Sequence, residues 1–384
     1  MIDARSVFES TDWAGLEHAY GAAADAPEAL LALLSEDPES CGRTLGYLDA
    51  SVLHQGSVYS VTAPAALFVA GILDDPRTTV HCESALPWDD RARPLRAALL
   101  EWLGAAADAA SYGEEDHEEA VDGAAGRGAA GRGADEGDDD VKAFRAIRRD
   151  LYSAVLPYLD DPDESVRAAA VGAMGNLMSA PELAEFRGEQ AERMRRLARD
   201  APAGERAAAV LTLGDWGFAP RESLADPDPS VRAAAALAPA LDADPQALAE
   251  VKRALADPKA ADRWFEEYLP QLDGHFRFAL IQALLRRTRS FEEILPEALA
   301  VARMTNAYTV ESDWGPLLKR AFPAPHPSGR PLSAAQREFL GAIVANDECW
   351  GGTGNPVFWL VKAGLPADRE ELRALVPAGG PGAL

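Results

Sequence analysis

The side chains that could do chemistry are few and scattered in this sequence of 384 residues. His81, Cys82 and Glu83 form its densest group of metal-ligand types. A metal site needs side chains that converge from several segments, and adjacent residues on one chain rarely converge. We therefore predict an ordinary turn at this position and no metal-binding residue.

Two further histidines stand beside turn residues. His54 precedes Gln55 and Gly56, and His18 lies two residues before Tyr20. Either imidazole could act as a general base. A histidine in a turn that caps the carboxyl end of a helix is the simpler interpretation, because the helix dipole favours a cation there. The sequence has no His-x-x-x-His pair and no Ser-His-Asp or Cys-His motif. We therefore predict no catalytic residue.

A glycine-rich loop, residues 351–354, precedes a helix that would begin with Asn355 as its cap and Pro356 as its first residue. Helix N-termini attract anions, so such a loop could hold a phosphate. No strand precedes this loop and no lysine follows it in the pattern of a P-loop. We predict a plain loop here and no cofactor.

The charge balance constrains the partners. The formal net charge is −25, and the isoelectric point is about 4.6. A surface this acidic repels nucleic acid and anionic lipid, and it could attract a basic protein. In the arginine-rich stretch 189–199, Glu189 and Glu192 each lie four residues before an arginine, so these charges mostly neutralise each other. We predict neither a nucleic-acid nor a membrane partner.

An internal repeat indicates the elements that carry these residues. Residues 161–170 read DPDESVRAAA, and residues 226–235 read DPDPSVRAAA. Asp163 and Asp228 are placed to cap helices, since a short carboxylate accepts from the free amides of the first turn. A weaker third copy, ERAAAV, occupies residues 205–210. An imperfect repeat of this kind is typical of stacked helices.

The phrase D-P-x-x-x-V-R-x-x-A resembles the HEAT and HEAT-like repeats, including the short form in phycobilisome lyase-type proteins. The phrases HAYG at 18–21 and HQG at 54–56 resemble a large group of uncharacterised bacterial HEAT-like proteins, and the composition resembles that of actinobacterial proteins. The resemblance is best over residues 141–260. It implies an all-α, HEAT-like α-solenoid of stacked antiparallel helix pairs, and it implies no known reaction.

Four parts are predicted along the chain. They are helical repeats over 1–104, an acidic Gly/Ala-rich disordered linker or loop over 105–140, the clearest HEAT-like repeats over 141–305, and an atypical helical cap over 306–384. Whether 105–140 separates two domains or is a loop in one solenoid stays open. Within the third part, helices are also predicted over 246–255, 263–268, 274–287 and 291–304.

Local signals add detail to these helices. Arg167 and Arg232 lie off the apolar stripe and are predicted to pair with the acidic turns. Pro239 should shorten the helix of the second repeat copy. Ser333 and Gln336 match a capping box.

The cysteines and the N-terminal residues predict the cellular compartment of the protein. Cys41, Cys82 and Cys349 are far apart and odd in number, so neither a disulfide framework nor a zinc knuckle is predicted. Reduced cysteines are usual in a cytosol. The first residues lack the basic start and apolar run of a signal peptide, and no stretch approaches the roughly 20 apolar residues that span a bilayer. We predict a cytoplasmic protein.

Taken together, these features predict a non-enzymatic protein-binding scaffold or adaptor. It would bind a protein or peptide along the concave face of residues 141–305, and its charge favours a basic partner, as for an immunity or regulatory factor. The predicted partner-binding residues are Arg167, Arg206, Arg232, Trp216, Trp314, Trp350 and Trp359. Two alternatives stay open: a HEAT-like enzyme of the lyase or DNA-repair glycosylase type, and a structural oligomer subunit. The enzyme would need a pocket with convergent polar groups.

Overall fold

The computed structural model describes residues 2–83, 92–111, 134–265, 269, 271–272, 274–327, 329–350 and 355–376. Over these ranges the fold is all-α, with two short antiparallel hairpins as the only strands, β1 (Glu17–His18) with β2 (Gly21–Ala22) and β3 (His81–Cys82) with β4 (Arg93–Pro94). None of the helices in these ranges combines the length with the apolar composition that crossing a bilayer requires.

The chain forms two compact units. Unit 1 comprises residues 1–216 and 267–271, and unit 2 comprises residues 217–266 and 272–384. The helices of unit 1 are α1 (Ala4–Ser10), α2 (Ala26–Ala32), α3 (Pro38–Tyr47), α4 (Thr62–Ile72), α5 (Leu95–Ala109), α6 (Ala134–Ala146), α7 (Arg148–Val155), α8 (Glu164–Met178), α9 (Arg187–Asp200) and α10 (Ala203–Asp215). Those of unit 2 are α11 (Pro229–Ala236), α12 (Pro245–Leu255), α13 (Pro258–Ala261), α14 (Phe276–Arg287), α15 (Leu295–Ala302), α16 (Trp314–Ala321), α17 (Ala334–Ala345), α18 (Asn355–Lys362) and α19 (Arg369–Leu375).

The core of unit 1 is built on small residues. Helices α5 and α8 pack with Gly104 directly against Ala173, so that a Cβ atom at Gly104 would lie 2.9 Å from the Ala173 Cα. The Asn176 side-chain amide donates to the Gly104 carbonyl oxygen at 3.1 Å. The apolar stripe predicted for α8 is buried throughout, and it comprises Val166, Ala169, Ala170, Ala173, Met174 and Leu177. Alanine and glycine therefore allow close approach of helix backbones, and much of the core consists of backbone and methyl groups.

The repeated phrase folds in the same way in both copies. Asp163 caps α8 by accepting from the backbone amides of Ser165 and Val166, and Asp228 caps α11 by accepting from the Ser230 amide. Both caps confirm the sequence prediction. Helix α11 ends at Ala236, before Pro239, which also agrees with the prediction.

The arginine of each copy has two sets of partners. Arg167 Nη1 donates to the carbonyl oxygens of Asp161 and Pro162 at 2.9 and 3.0 Å, and its Nη2 lies 2.6 Å from a carboxylate oxygen of Glu205 on α10. The prediction placed this arginine on the acidic turn, and it binds the carbonyl oxygens of that turn. Its carboxylate partner comes from a later helix.

The second copy repeats these contacts inside unit 2. Arg232 Nη1 donates to the two equivalent carbonyl oxygens of its own turn at 2.8 and 2.9 Å. Its Nε lies 3.2 Å from a carboxylate oxygen of Glu250 on α12. We call this arrangement the Arg–Glu bridge; each bridge joins a turn, the helix after it and a later helix.

A buried ion network fixes the start of α14 in unit 2. Arg277 Nε and Nη2 donate to the two carboxylate oxygens of Asp313 at 2.7 and 3.1 Å. Its Nη1 donates to Asp262, which also accepts from the Arg277 backbone amide at 3.0 Å. The guanidinium carbon lies 4.6 Å from the centre of the Phe278 ring. One arginine thus connects α14 with the segments before α14 and α16.

Several predicted boundaries differ from the structure. A helix was predicted over 263–268, yet residues 263–265 are not helical; α13 stops at Ala261 because Asp262 turns to bind Arg277. Residues 266–268 lie outside the described residues. Helices α12, α14 and α15 confirm the other three predicted helices.

The predicted division of the chain into four parts stays a prediction, beside which the structure gives the following bounds. Helix α5 continues to Ala109, past residue 104, because its alanines are buried, and α6 already begins at Ala134. The boundary between the units follows Trp216, inside the predicted block 141–305, where Gly217 has a φ of +83°. The core of the predicted linker, residues 112–133, lies outside the described residues.

Candidate functional site

An open groove lies at the surface of unit 1 between α1, α2 and the end of α4. Its volume is about 760 Å³. Phe8, Leu31, Leu34, Phe68 and Ile72 form its apolar lining. We call this feature the α1–α2 groove. Leu31 is 50% exposed, so an apolar side chain within the groove is in contact with water.

The groove exists because a short helix is held against a longer one at a glycine. Asp3 caps α1 by accepting from the Arg5 amide at 3.1 Å. Helix α1 touches α4 at Gly71, where a Cβ atom would lie 2.9 Å from the Ala4 nitrogen. The Phe8 ring packs on the Phe68 ring, with centroids 5.8 Å apart. No residue of α1 is fully buried, so this helix covers α4 and leaves the groove open beside it.

The rim of the groove is acidic. Arg5 offsets Glu9 through a 2.7 Å contact, and Arg77 offsets Asp75 through a 2.6 Å contact. The hydrogen bond from the Arg77 guanidinium lowers the pKa of Asp75. Asp3 and Asp74 also line the groove, and neither forms an ion pair with a described residue. Among the described residues, carboxylates therefore outnumber guanidinium groups at the rim, beside an apolar floor.

A second group of polar side chains lies at the other end of α2. We call it the His–Tyr cluster, formed by His18, Tyr20, Asp25, Tyr47 and His54. It brings together the two histidines that the sequence singled out, through a Tyr20 ring whose centroid lies 6.2 Å from His18 and 5.4 Å from His54. Sequence reasoning missed the contribution of Asp25 and Tyr47, for which no local motif exists.

The other candidate chemical groups remain apart. His81 and Cys82 form strand β3 and not a turn, because they pair with Pro94 and Arg93. In the described ranges, no three His, Cys, Asp or Glu side chains are grouped to hold a metal. Cys41, Cys82 and Cys349 are buried and unpaired with each other, and burial raises the pKa of Cys82 and Cys349 to about 11. The loop at 351–354 lies outside the described residues.

The predicted partner-binding arginines have intramolecular partners. Arg167 and Arg232 form the two Arg–Glu bridges, and Arg206 Nη1 donates to the Ala201 carbonyl oxygen at 2.9 Å. Arg167 and Arg206 belong to unit 1, and Arg232 belongs to unit 2. Their contacts stabilise helix packing, and their role toward a partner stays a prediction.

Two of the predicted tryptophans, Trp216 and Trp314, are buried, and the other two, Trp350 and Trp359, are half-buried. Trp216 is buried in unit 1 and donates to the Gly175 carbonyl oxygen at 3.0 Å. Trp314 is fully buried in unit 2 and donates to Cys349 Sγ at 3.4 Å. Trp350 donates to the Ile343 carbonyl oxygen at 3.2 Å, and the Trp359 ring lies against Gly315. Three of the four thus share one part of unit 2, where they pack the helices of the C-terminal region.

Asp215 at the end of α10 is a further unusual group of unit 1. Asp215 is exposed as a whole residue, yet many protein atoms surround its carboxyl group. This burial and the negative charge of Asp108 raise the pKa of Asp215 to about 7. Because the folded state binds this proton more tightly than the unfolded chain, the ionised form at high pH destabilises the fold.

Asp215→Asn should therefore raise the melting temperature at pH 8 and leave it almost unchanged at pH 4. The destabilisation by the carboxylate grows as the pH rises from about 4, the unfolded pKa, to about 7, and exposure to water reduces its size. Each kcal/mol relieved adds about 2–4 °C in a domain of this size. Calorimetry at both pH values tests this. Asp200→Asn, at the exposed end of α9, is the matched control, and an equal pH-dependent gain there would contradict the explanation.

One known family of helical repeats matches part of this sequence. The HEAT repeat family model matches residues 151–180. The match and the helical fold support a HEAT-like repeat protein. The matched range includes the first repeat copy and all of α8, and it fits an α-solenoid. The comparison with curated proteins found no match.

Proposed function

We propose that this HEAT-like protein is a non-enzymatic binding scaffold, and that its α1–α2 groove takes a basic amphipathic helix of a partner protein. HEAT repeats commonly serve as protein-interaction scaffolds, which supports the general role. The single observation that carries the specific role is an open apolar groove with an acidic rim on unit 1.

The size and lining of the groove support this type of occupant. Its volume of about 760 Å³ is in the range of a binding cleft. An amphipathic helix binds such a groove through apolar anchors on one face, spaced three and four residues apart. Leu31 and Phe68 would contact those anchors. Asp3 and Asp74 would attract lysine or arginine at the edges of the same helix.

The groove offers little for catalysis. Among the described residues that line it, there is no histidine, cysteine, serine or lysine. Its charged groups are carboxylates and one guanidinium at the rim, and a nucleophile built on serine, cysteine or lysine is absent from this described lining. This composition supports binding over the lyase or glycosylase alternative.

The finer parts of the prediction remain proposals. These are a similarity to phycobilisome lyase-type or actinobacterial proteins, an immunity-like or regulatory role, and a cytoplasmic location. The proposed concave face of residues 141–305 includes parts of both units. An oligomer subunit would be detected by size-exclusion chromatography with light scattering.

Leu31→Asp should weaken partner binding at least about tenfold, because it places a charge on an exposed apolar residue of the groove lining. The partner is first captured in cells with a photo-crosslinking residue at position 31, and the joined peptide is identified by mass spectrometry. We expect a segment with apolar residues at helical spacing and several lysines or arginines. Its affinity for the purified protein is then measured by calorimetry.

Leu375→Asp is the matched control, because Leu375 is a similarly exposed leucine in unit 2. It should leave the affinity unchanged, and both variants should keep their helical circular dichroism. Equal losses in both variants, an acidic crosslinked segment, or no crosslink at position 31 would contradict the proposal.

A further inference from the structure

We propose that the His–Tyr cluster binds the side chain of a lysine or arginine from the partner. The inference rests on the proposed function only in that the partner is taken to be basic. Its support is the geometry of the cluster, in which the exposed Tyr20 ring and the half-buried His54 ring accompany an exposed carboxylate that a buried histidine and a tyrosine hold in place.

The hydrogen bonds of His18 show which of its ring nitrogens carries the proton in the neutral form. His18 Nδ1 accepts from the Tyr20 backbone amide at 3.0 Å, so the ring proton lies on Nε2 in the neutral form. Nε2 lies 3.1 Å from Asp25 Oδ1 and donates to it. His18 is buried, and both of its ring nitrogens are used. It is therefore a positioning residue, which fixes the Asp25 carboxylate and the turn that carries Tyr20.

The Asp25 side chain does not cap the helix that follows it. Asp25 directly precedes α2, where an aspartate commonly caps the helix, but its side chain makes no capping hydrogen bond. Its Oδ1 instead accepts from His18 Nε2 and from the Tyr47 hydroxyl at 3.0 Å. Burial of the Tyr47 phenol, followed by this hydrogen bond, raises the pKa of Tyr47. Asp25 Oδ2 has no hydrogen bond with a described residue, and the side chain is 61% exposed.

The aromatic rings form a row next to this carboxylate. His18 lies edge-on between the Tyr20 and Tyr47 rings, with centroids 6.2 and 5.9 Å away. Tyr20 is 68% exposed and meets the His54 ring at 5.4 Å. Aromatic side chains this exposed are candidates for contact with a partner.

The turn that carries His54 has an unusual backbone. Gln55 has a φ of +52°, the only positive φ of a non-glycine residue in the described ranges. This conformation is uncommon outside glycine, asparagine and aspartate. His54 Nδ1 lies 2.8 Å from the Ala50 carbonyl oxygen and donates to it, which leaves Nε2 as an acceptor. The strained turn thus presents an imidazole beside the Tyr20 ring.

These parts together suit an organic cation. A ring face attracts a guanidinium or ammonium group through its quadrupole, and a nearby carboxylate adds a direct charge interaction. Asp25 disfavours an anion at the same place. Because both His18 nitrogens are occupied, the cluster is poorly suited to a transition metal. A lysine or arginine side chain uses the exposed phenol, the free oxygen of Asp25 and the His54 acceptor.

The test uses the full chain and a small probe, N-acetyl-arginine amide, whose side chain carries its only charge. NMR spectra of protein with labelled tyrosine and histidine should show saturable shifts at Tyr20 and His54, with a dissociation constant in the millimolar range. The neutral isostere N-acetyl-citrulline amide should produce no saturable shift. Equal responses to the two amides, or no response at Tyr20, would overturn the proposal.

Two variants and two controls assign the site. Tyr20→Ala and Asp25→Asn should each lower the affinity for the arginine probe about two- to tenfold. Tyr308→Ala should have no effect, because Tyr308 is an even more exposed tyrosine in unit 2. Leu31→Asp should also leave the affinity for the arginine probe unchanged. A negative result for the groove can therefore be distinguished from a negative result for the His–Tyr cluster. An equal loss in Tyr308→Ala would show that the cation binds nonspecifically.

Discussion

Asp313→Ala should destabilise unit 2 by about 1.5–3 kcal/mol, because it removes two charge-assisted hydrogen bonds from the buried Arg277 guanidinium and leaves Asp262 as its remaining carboxylate partner. Asp313 is fully buried, and the Arg277 side chain is 3% exposed. Burial alone would lower the pKa of Arg277, but Asp313 and Asp262 outweigh it and raise that pKa. A guanidinium group keeps its proton in proteins, so the variant cannot avoid the cost by losing a proton.

Urea unfolding monitored by hydrogen exchange of peptides from α14 and α16 measures this loss where it occurs. Two controls define its origin. Asp313→Ala combined with Arg277→Met removes the two charges of this pair, leaves the Asp262 carboxylate without its guanidinium, and should therefore recover part of the stability. Glu370→Ala breaks the exposed pair with Arg373 and should cost less than about 1 kcal/mol. A loss below about 1 kcal/mol in Asp313→Ala alone would show that the network contributes little.

Gly104→Ala should destabilise unit 1 by about 1–3 kcal/mol, although alanine favours a helix more than glycine does. The new Cβ atom would lie 2.9 Å from the Ala173 Cα and 3.4 Å from its Cβ. Both atoms belong to the helix that packs directly on α5, so relief requires the two backbones to separate. Thermal unfolding and calorimetry measure the change.

Gly204→Ala provides a control with the opposite sign. Gly204 lies in α10, and a Cβ atom there would meet nothing within 4 Å. The same substitution should stabilise the protein by about 0.4–1 kcal/mol, since it restricts only the unfolded chain. If both variants shift stability in the same direction, close contact between α5 and α8 is not what glycine provides.

Local features of the fold could be read from the sequence because they depend on neighbours in the chain. The caps at Asp163 and Asp228 involve amides two or three residues away, and Pro239 acts on its own helix. The capping box of Ser333 with Gln336 is also present as predicted. Each of these interactions is fully specified by a short phrase.

The missed features join distant residues. Arg277 and Asp313 are 36 residues apart, and Tyr47 and Asp25 are 22 residues apart. The α1–α2 groove depends on how closely α1 approaches Gly71, which no local pattern encodes. Aromatic residues such as Trp314 are common both in protein cores and in interfaces. The sequence therefore does not separate the two roles, and the burial of the side chain does.

The two Arg–Glu bridges explain how an uneven repeat can keep uniform contacts. Arg167 and Glu205 are 38 residues apart, whereas Arg232 and Glu250 are 18 residues apart. The ion pair requires only that a later helix place a glutamate beside the arginine. The number of residues between the two can therefore vary. Insertions and deletions between repeats are therefore compatible with this architecture, and such proteins can diverge in length while the joints between neighbouring modules stay the same.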